Sequence, residues 1–411
     1  MAEPITTARV AGRLLTEEVR TVLGQLGPSR SVEPGEALGL PPACYTSPEF
    51  YEFEKEAVFR RSWVCVGRAD QVPKPGDYLS IEVAGEPLVL LRGDDGEVRA
   101  LSPICQHRGN SVLTEERGNC GPVLRCPYHY WSYAHDGRLV SAPEMGDSED
   151  LSALRREVRL PKVRTELWQG FVFVNFDQDA EPLAPTLGKL DSVIAPYHVD
   201  EMRTANTQVV PGMPWNWKIL QENFVEPYHV TYLHQGNHDF APSRLTEFVP
   251  FDDGDGQIMR HAGFLHLDGS LNADGWGFPG LFPVIETLSE VERGRITWAM
   301  LPPTLFMGLA PDLVLFYLLL PTSPGTMTLR INFCFPPDRL ELPDLAERCQ
   351  SILDGARTIV DQDFAVNTAV QRNLASRFAP RPRYSKMERT LTQFNRWLTN
   401  HYLAAAGEDA R

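Results

Sequence analysis

A chain of 411 residues exceeds what one small hydrophobic core organises, so two domains are expected. Hydrophobic residues at 43% and charged residues at 23% fit an ordinary globular protein. A formal net charge of -15 argues against the basic face of a nucleic-acid binder and against docking on an anionic membrane, and favours a partner with a basic docking patch.

In chain order, residues 6–24 predict a helix and GPSRSVEPGEALGLPP an irregular linker. MAEPITTARV has no basic region followed by an apolar stretch, so no secretory signal is expected. YEFEKEAVFR, residues 51–60, predicts a short helix, and residues 61–178 then become strand-rich. DYLSIEVAGEPLVLLRGDDGEVRAL predicts two or three short strands, with turns near Gly85 and at Asp94-Asp95-Gly96, and FVFVNFD closes this part. From residue 181 helices alternate with longer strands such as ITWAMLPPTLFMGL and MTLRINFCF. The apolar run around Leu313 to Leu320 is bounded by Pro311 and Pro321; it predicts a buried strand and is too short to span a bilayer. Met387, Leu391, Phe394, Leu398 and Tyr402 share one helical face, which predicts a helix packed on the second domain. The expected organisation is 1–43 as N-terminal helix and linker, 44–180 as a small all-β domain, and 181–411 as a larger α+β domain. The seven scattered cysteines fit thiolate chemistry in a reducing cytoplasm better than a disulfide scaffold.

The first constellation is Cys105-Gln-His107 and Cys126-Pro-Tyr-His129. Each half sets a thiolate and an imidazole two or three residues apart, so a tight loop can aim both inward. Two cysteines and two histidines suit tetrahedral zinc or a [2Fe–2S] cluster, and the donor set alone leaves both open. Cys120 has no partner at ligand spacing and reads as packing.

The second constellation lies in NWKILQENFVEPYHVTYLH, residues 216–234. Two histidines and a carboxylate can form a facial triad on ferrous iron. His229 and His234 are five residues apart, about 140° on an ideal helix, so no straight helical face presents both. Pro227 gives the backbone a reason to deviate there. Either histidine alone reads as a core residue; the pair, with Glu222, Asn223, Glu226 and Tyr228 around it, points to a metal. A third ligand must come from elsewhere. Of Asp354, Asp361 and Asp363, only Asp363 falls within the apolar stripe of Leu345, Cys349, Ile352, Ala356, Ile359, Val366, Val370 and Leu374. A carboxylate on a buried face needs a metal or a cation, so a salt bridge to an arginine is the competing reading.

CQHRG followed by CPYHYWSYAHDGRL resembles the Rieske-domain signature, with Arg108-Gly109, Trp131, Tyr133 and Asp136-Gly137 in place. Tyr130 departs from it, standing where that family usually has glycine. The 216–234 segment resembles the iron-site motif of Rieske non-heme iron oxygenase α subunits, and VDQDFAVNTAVQ resembles their C-terminal ligand stretch. The resemblance covers roughly residues 40–375. It implies a Rieske domain followed by a catalytic domain whose antiparallel sheet is covered by helices, a helix-grip, START-like fold. It implies a [2Fe–2S] cluster on Cys105, His107, Cys126 and His129, and mononuclear Fe(II) on His229, His234 and Asp363. In such a family Glu226 would bridge His229 to a cluster histidine, His129, across the subunit boundary of a homotrimer, and Asn223 would lie beside the iron.

The resemblance implies a terminal oxygenase that takes O₂ and an organic substrate, with electrons from a separate reductase, directly or through a ferredoxin, drawing on NADH or NADPH. GWGFPG, residues 275–280, fits a nucleotide-binding string literally but reads as a loop, so this chain is not expected to bind the dinucleotide itself. Aromatic hydroxylation, by mono- or dioxygenation, is the leading reaction. Oxidative N- or O-demethylation, including of quaternary amines, is the alternative, and a zinc-dependent hydrolase is the competitor from another class. Phe224, Val225, Phe264, Trp298, Met300, Phe306 and Leu309 are the candidate pocket residues. His198, His261, His266 and His401 carry no expected role.

Overall fold

The computed structural model describes residues 13–147, 150–234, 241–251, 256–264 and 282–407. The expected GWGFPG loop and His266 lie outside the described residues. The chain divides into two units: Trp63–Glu181, and Met1–Ser62 together with Pro182–Arg411.

Among the described residues the Trp63–Glu181 unit holds ten strands: β1 (Val64–Arg68), β2 (Asp77–Val83), β3 (Glu86–Arg92), β4 (Val98–Leu101), β5 (Arg117–Asn119), β6 (Leu124–Arg125), β7 (Ser132–Tyr133), β8 (Leu139–Ser141), β9 (Lys162–Trp168) and β10 (Phe171–Asn175). Seven form an antiparallel sheet in the order β1-β10-β9-β4-β3-β2-β5, and β6-β7-β8 form a second. Period-two alternation buries Leu79, Ile81 and Val83 on one face of β2. Between the sheets a core of Leu101, Val112, Leu124, Tyr133, Leu139 and Leu160 packs around the sulfurs of Cys105 and Cys126.

Among the described residues the other unit is built on one seven-stranded antiparallel sheet: β11 (Arg203–Met213), β12 (Thr246–Phe248), β13 (Ile258–Gly263), β14 (Arg295–Leu301), β15 (Leu305–Leu309), β16 (Val314–Ser323) and β17 (Thr326–Phe335), in the order β11-β17-β16-β15-β14-β13-β12. Helices Trp217–Val225, Leu345–Leu374 and Arg389–Ala406 accompany it. The expected α+β class holds. The expected ITWAMLPPTLFMGL strand is instead a hairpin, β14 to β15, because Pro302 and Pro303 cannot donate to a ladder.

The N-terminal boundary also differs from the expected 44–180. Residues 44–62 belong with the second unit, for a reason read in its interior. Glu54, at the end of the helix Pro48–Glu54, is fully buried and accepts from Lys218 Nζ at 2.6 Å, from Trp217 Nε1 at 3.0 Å and from the hydroxyl of Tyr402. Phe50 packs edge-on to Tyr402 at 5.0 Å between ring centroids. A buried carboxylate so partnered cannot leave its cation without a large desolvation penalty. The expected helix at 6–24 is present as Glu17–Leu23, capped by Thr16, with residues 1–12 outside the described set.

Candidate active site

In the Rieske-like unit, Cys105 and His107 lie on the loop between β4 and β5, and Cys126 and His129 on the loop between β6 and β7. The two loops repeat one geometry. The Gly109 N–H donates to the Cys105 carbonyl at 2.9 Å, and the Tyr130 N–H to the Cys126 carbonyl at 3.0 Å. Both closing residues are left-handed, Gly109 at φ 76° and Tyr130 at φ 58°. The departure noted in the sequence is therefore a tyrosine in a conformation that favours glycine.

Both sulfurs are buried, each residue only 2% exposed, while the two imidazoles lie 4.7 Å apart between ring centroids at the surface side. Tyr133 Oη lies 3.2 Å from Cys105 Sγ, and Asn110 Nδ2 3.9 Å from Cys126 Sγ. Burial opposes ionisation of Cys126, but the N–H of Tyr128, the Cys105 thiol and Asn110 outweigh it and hold its pKa below the ordinary thiol value. Trp131 stacks on His107 at 4.8 Å. His129 Nδ1 is buried with no hydrogen-bond partner, an orphan that a metal ion would satisfy. Two buried thiols and two adjacent imidazoles, one with an orphaned nitrogen, fit a [2Fe–2S] cluster held by unlike donors on its two irons. Cys120 is half-buried, 3.6 Å from His135 Nε2, and takes no part.

In the second unit the helix Trp217–Val225 opens on Asn216, whose side chain accepts from the Lys218 N–H at 3.0 Å. It stops at Glu226, which is extended (φ -99°, ψ 142°) ahead of Pro227. His229 and His234 then flank a single turn, Val230–Leu233. This break lets residues five apart face each other, their rings 5.0 Å apart and nearly perpendicular. Asp363, on the helix Leu345–Leu374, reaches them from the other side. Its Oδ1 lies 3.1 Å from His234 Nε2 and 3.7 Å from His229 Nε2. One ligand atom from each of the three residues lies within 4.8 Å of the others. Asp354 and Asp361 are exposed on the other side of that helix. The predicted stripe is buried at Cys349 and Ile352, but Val366 and Val370 are 40% exposed.

Each donor is oriented from behind. His229 Nδ1 donates to Glu226 Oε1, and Glu226 Oε2 accepts the backbone N–H groups of Tyr228 and His229. His234 Nδ1 bonds to Gln362 Oε1 at 2.8 Å, and Asn223 Nδ2 donates to Asp363 Oδ1 at 3.1 Å. With both Nδ1 atoms acting as donors, both Nε2 lone pairs are left for a metal. Two imidazoles and a carboxylate on one side fit the facial arrangement that suits ferrous iron. Sequence reasoning missed Gln362, although it immediately precedes Asp363.

The triad borders a cavity whose walls include Phe224, Phe264, Ile296, Trp298 and Tyr317. Phe224, Phe264 and Trp298 were expected there. Val225, Met300, Phe306 and Leu309 lie behind the wall as core, Phe306 stacking on Phe224 at 4.9 Å and on Trp298 at 5.6 Å. Arg260, also missed, lines the cavity as its buried cation. Of the histidines without an expected role, His261 bonds Thr297 Oγ1 at 2.8 Å and His401 the Trp397 carbonyl at 2.9 Å.

Two protein families match the chain: the Rieske [2Fe-2S] domain over residues 62–161, and the ring hydroxylating alpha subunit (catalytic domain) over residues 194–404. The chain is similar to the glycine betaine monooxygenase oxygenase subunit of Chromohalobacter salexigens, at 32% identity over 217 residues, 53% of this chain and 46% of that protein. It is similar to the carnitine monooxygenase oxygenase subunit of Escherichia coli K12, at 35% over 209 residues, 50% of this chain and 54% of that protein. The benzene 1,2-dioxygenase subunit alpha of Pseudomonas putida matches at 34% over 198 residues, 46% of this chain and 42% of that protein. The chain thus spans about half the length of the curated relatives it matches. Its fold is shared with the quaternary ammonium Rieske monooxygenase bound to L-carnitine (TM-score 0.75, 23% identity, covering 91% of this chain and 99% of that one). It is shared equally with naphthalene 1,2-dioxygenase from Rhodococcus sp. bound to indole (TM-score 0.76, 20% identity, 95% and 99%). The zinc reading of the first donor set falls away, and the chain belongs to the ring-hydroxylating alpha-subunit family, with a Rieske [2Fe–2S] domain and the catalytic domain of a mononuclear-iron oxygenase.

Proposed function

We propose that this chain is the terminal oxygenase component of a multicomponent system that uses O₂ to hydroxylate an organic substrate, with an aromatic compound as the leading substrate class. The observation that carries the reading is the convergence of His229 Nε2, His234 Nε2 and Asp363 Oδ1 at the edge of a cavity walled by aromatic rings. Ferrous iron, when bound there, supplies oxygen activation, fed by electrons stored on the Rieske cluster and delivered by a separate reductase, directly or through a ferredoxin. Cys105, His107, Cys126 and His129 would hold the cluster; His229, His234 and Asp363 would hold the iron.

The remaining roles belong to side chains that position these donors. Glu226 and Gln362 keep the protons of His229 and His234 on Nδ1, and Asn223 steadies the Asp363 carboxylate. Glu226 would also join His229 to the cluster histidine His129 of a neighbouring subunit in a homotrimer. One solved structure of similar fold is described in terms of inter-subunit electron transfer, which supports that arrangement.

Oxidative demethylation of a small methylated substrate is the second reading. It is favoured by the relatives named for glycine betaine and carnitine, and by aromatic faces, which attract quaternary ammonium groups.

The test is a product screen of aromatic and methylated-amine compounds with a surrogate reductase, run beside His229→Ala. The variant should keep the red-brown absorption of the cluster and lose both the mononuclear iron and substrate-coupled O₂ consumption. Product formation unchanged in that variant, or protein containing zinc and no acid-labile sulfide, would overturn the assignment.

A further inference from the structure

Arg260 is a cation in a place that normally rejects one. It sits on β13 opposite Trp298 of β14, is 5% exposed, and lines the same cavity as Phe224, His229 and Asp363. Its Nε donates to the Val225 carbonyl at 2.7 Å and its Nη2 to the Phe224 carbonyl at 3.3 Å, the last two residues of the helix Trp217–Val225. These bonds cap the helix and fix the guanidinium plane. Nη1 has no hydrogen-bond partner, and no carboxylate forms an ion pair with Arg260, among the described residues. Burial lowers its pKa to about 10 while the Glu226 carboxylate, too far for an ion pair, works against that fall, so it stays charged at neutral pH.

We infer that Arg260 is the anchor for a carboxylate on the substrate, so that this cavity takes organic carboxylates and not plain hydrocarbons or simple quaternary ammonium ions. The inference rests on the reading of the cavity as the oxygenase's substrate site. A hydrocarbon closing over Arg260 would strip its remaining water and return no hydrogen bond. A permanent cation without an anionic group would add like-charge repulsion in an apolar space. A carboxylate meets the guanidinium edge with a charge-assisted bond, strengthened because the fork is already held. The remainder of the molecule then lies against Trp298 and Phe224, within reach of the triad. Trp298 takes its position because Gly308 opposite it has no side chain; a Cβ there would stand 2.7 Å from the indole.

Both substrate readings survive in part. An aromatic acid and a betaine each carry the required carboxylate, whereas neutral arenes and simple tetraalkylammonium ions do not.

The experiment is calorimetric binding to the anaerobic holoenzyme, which needs no turnover. The probes are benzoate, phenylacetate and γ-butyrobetaine, each beside its methyl ester. At least one acid should bind, roughly 10- to 100-fold more tightly than its ester. Arg260→Gln should remove that preference, and Arg260→Lys should keep part of it. Because Arg260 also caps a helix, the variants are compared by melting temperature, and the wild-type acid–ester comparison stands without them. Esters that bind as well as acids, failure of every acid to bind, or a folded Arg260→Gln protein that keeps the preference would each overturn the inference. Acid binding without O₂ chemistry would instead leave the inference standing and remove the oxygenase reading.

Discussion

Tyr130 closes its cluster loop in the left-handed region, at φ 58°, with its side chain 61% exposed and so little packing to offset the strain. Such a conformation costs a non-glycine residue about 1–2 kcal/mol. Replacing it by glycine relieves that strain, but the freer unfolded chain returns about 0.5–1 kcal/mol of it. Tyr130→Gly should therefore leave the stability of the cluster-loaded protein unchanged or raise it by up to about 1.5 kcal/mol. Tyr130→Val, β-branched and poorly suited to positive φ, should cost about 1–2 kcal/mol. Thermal loss of the cluster's visible absorption reads both, and a valine variant as stable as the parent would remove the strain account. At the iron site the same scale shows why donors alone are insufficient. Glu226 and Gln362 each fix one imidazole from behind, so a change at either alters the ring's orientation while the ligand itself is kept.

The helix that leads into the histidine pair is anchored at its start. Asn216 caps it and donates from Nδ2 to the Pro324 carbonyl at 2.7 Å, and the Asn216 N–H donates to Gln371 Oε1 of the long Asp363-bearing helix at 2.7 Å. Trp217 and Lys218 both turn to Glu54, tying the helix Pro48–Glu54 to the same point. The Asn-Trp-Lys string that opens the metal motif thus works as scaffold, fixing where one ligand helix begins relative to the other. Lys218 and Glu54 are both fully buried, so Lys218→Met strands a carboxylate in the core and should cost about 3–5 kcal/mol. Combining it with Glu54→Gln should recover at least half of that loss, since removing both charges removes the unpaired one. Denaturant unfolding followed by far-UV circular dichroism measures both, and a single variant as unstable as the pair would contradict the account.

For the chain as a whole, the Rieske domain is an insertion. It leaves the other unit after Ser62 and returns at Pro182. Its first and last strands pair antiparallel, with Val64 opposite Val174, and Trp63 Nε1 donates to the Glu181 carbonyl at 2.9 Å. Entry and exit are therefore adjacent, the geometry that lets a domain fold on its own. All four candidate cluster ligands and the core around them lie inside Trp63–Glu181. A fragment of those residues should fold and take up the [2Fe–2S] cluster without the remainder of the chain. Visible absorption that bleaches on reduction, with one acid-labile sulfide per iron, is the measurement; a colourless, unfolded fragment would refute it. Among the described residues no helix is long and apolar enough to cross a membrane.

The sequence by itself determined the candidate donors. Cys105 with His107, Cys126 with His129, and His229 with His234 are each close enough along the chain for a local loop or a broken helix to set their geometry. Asp363 was legible through helical phase, because a carboxylate inside an apolar stripe demands a counter-charge. Only the tertiary structure decided what surrounds them: that residues 44–62 belong with the catalytic unit, and that Gln362 and Arg260 face the site. The placement of residues 44–62 and of Gln362 depends on helix packing between segments more than 100 residues apart, Glu54 with Lys218 and His234 with Gln362. No period in the sequence encodes which distant side chain meets which; packing of the whole unit selects it.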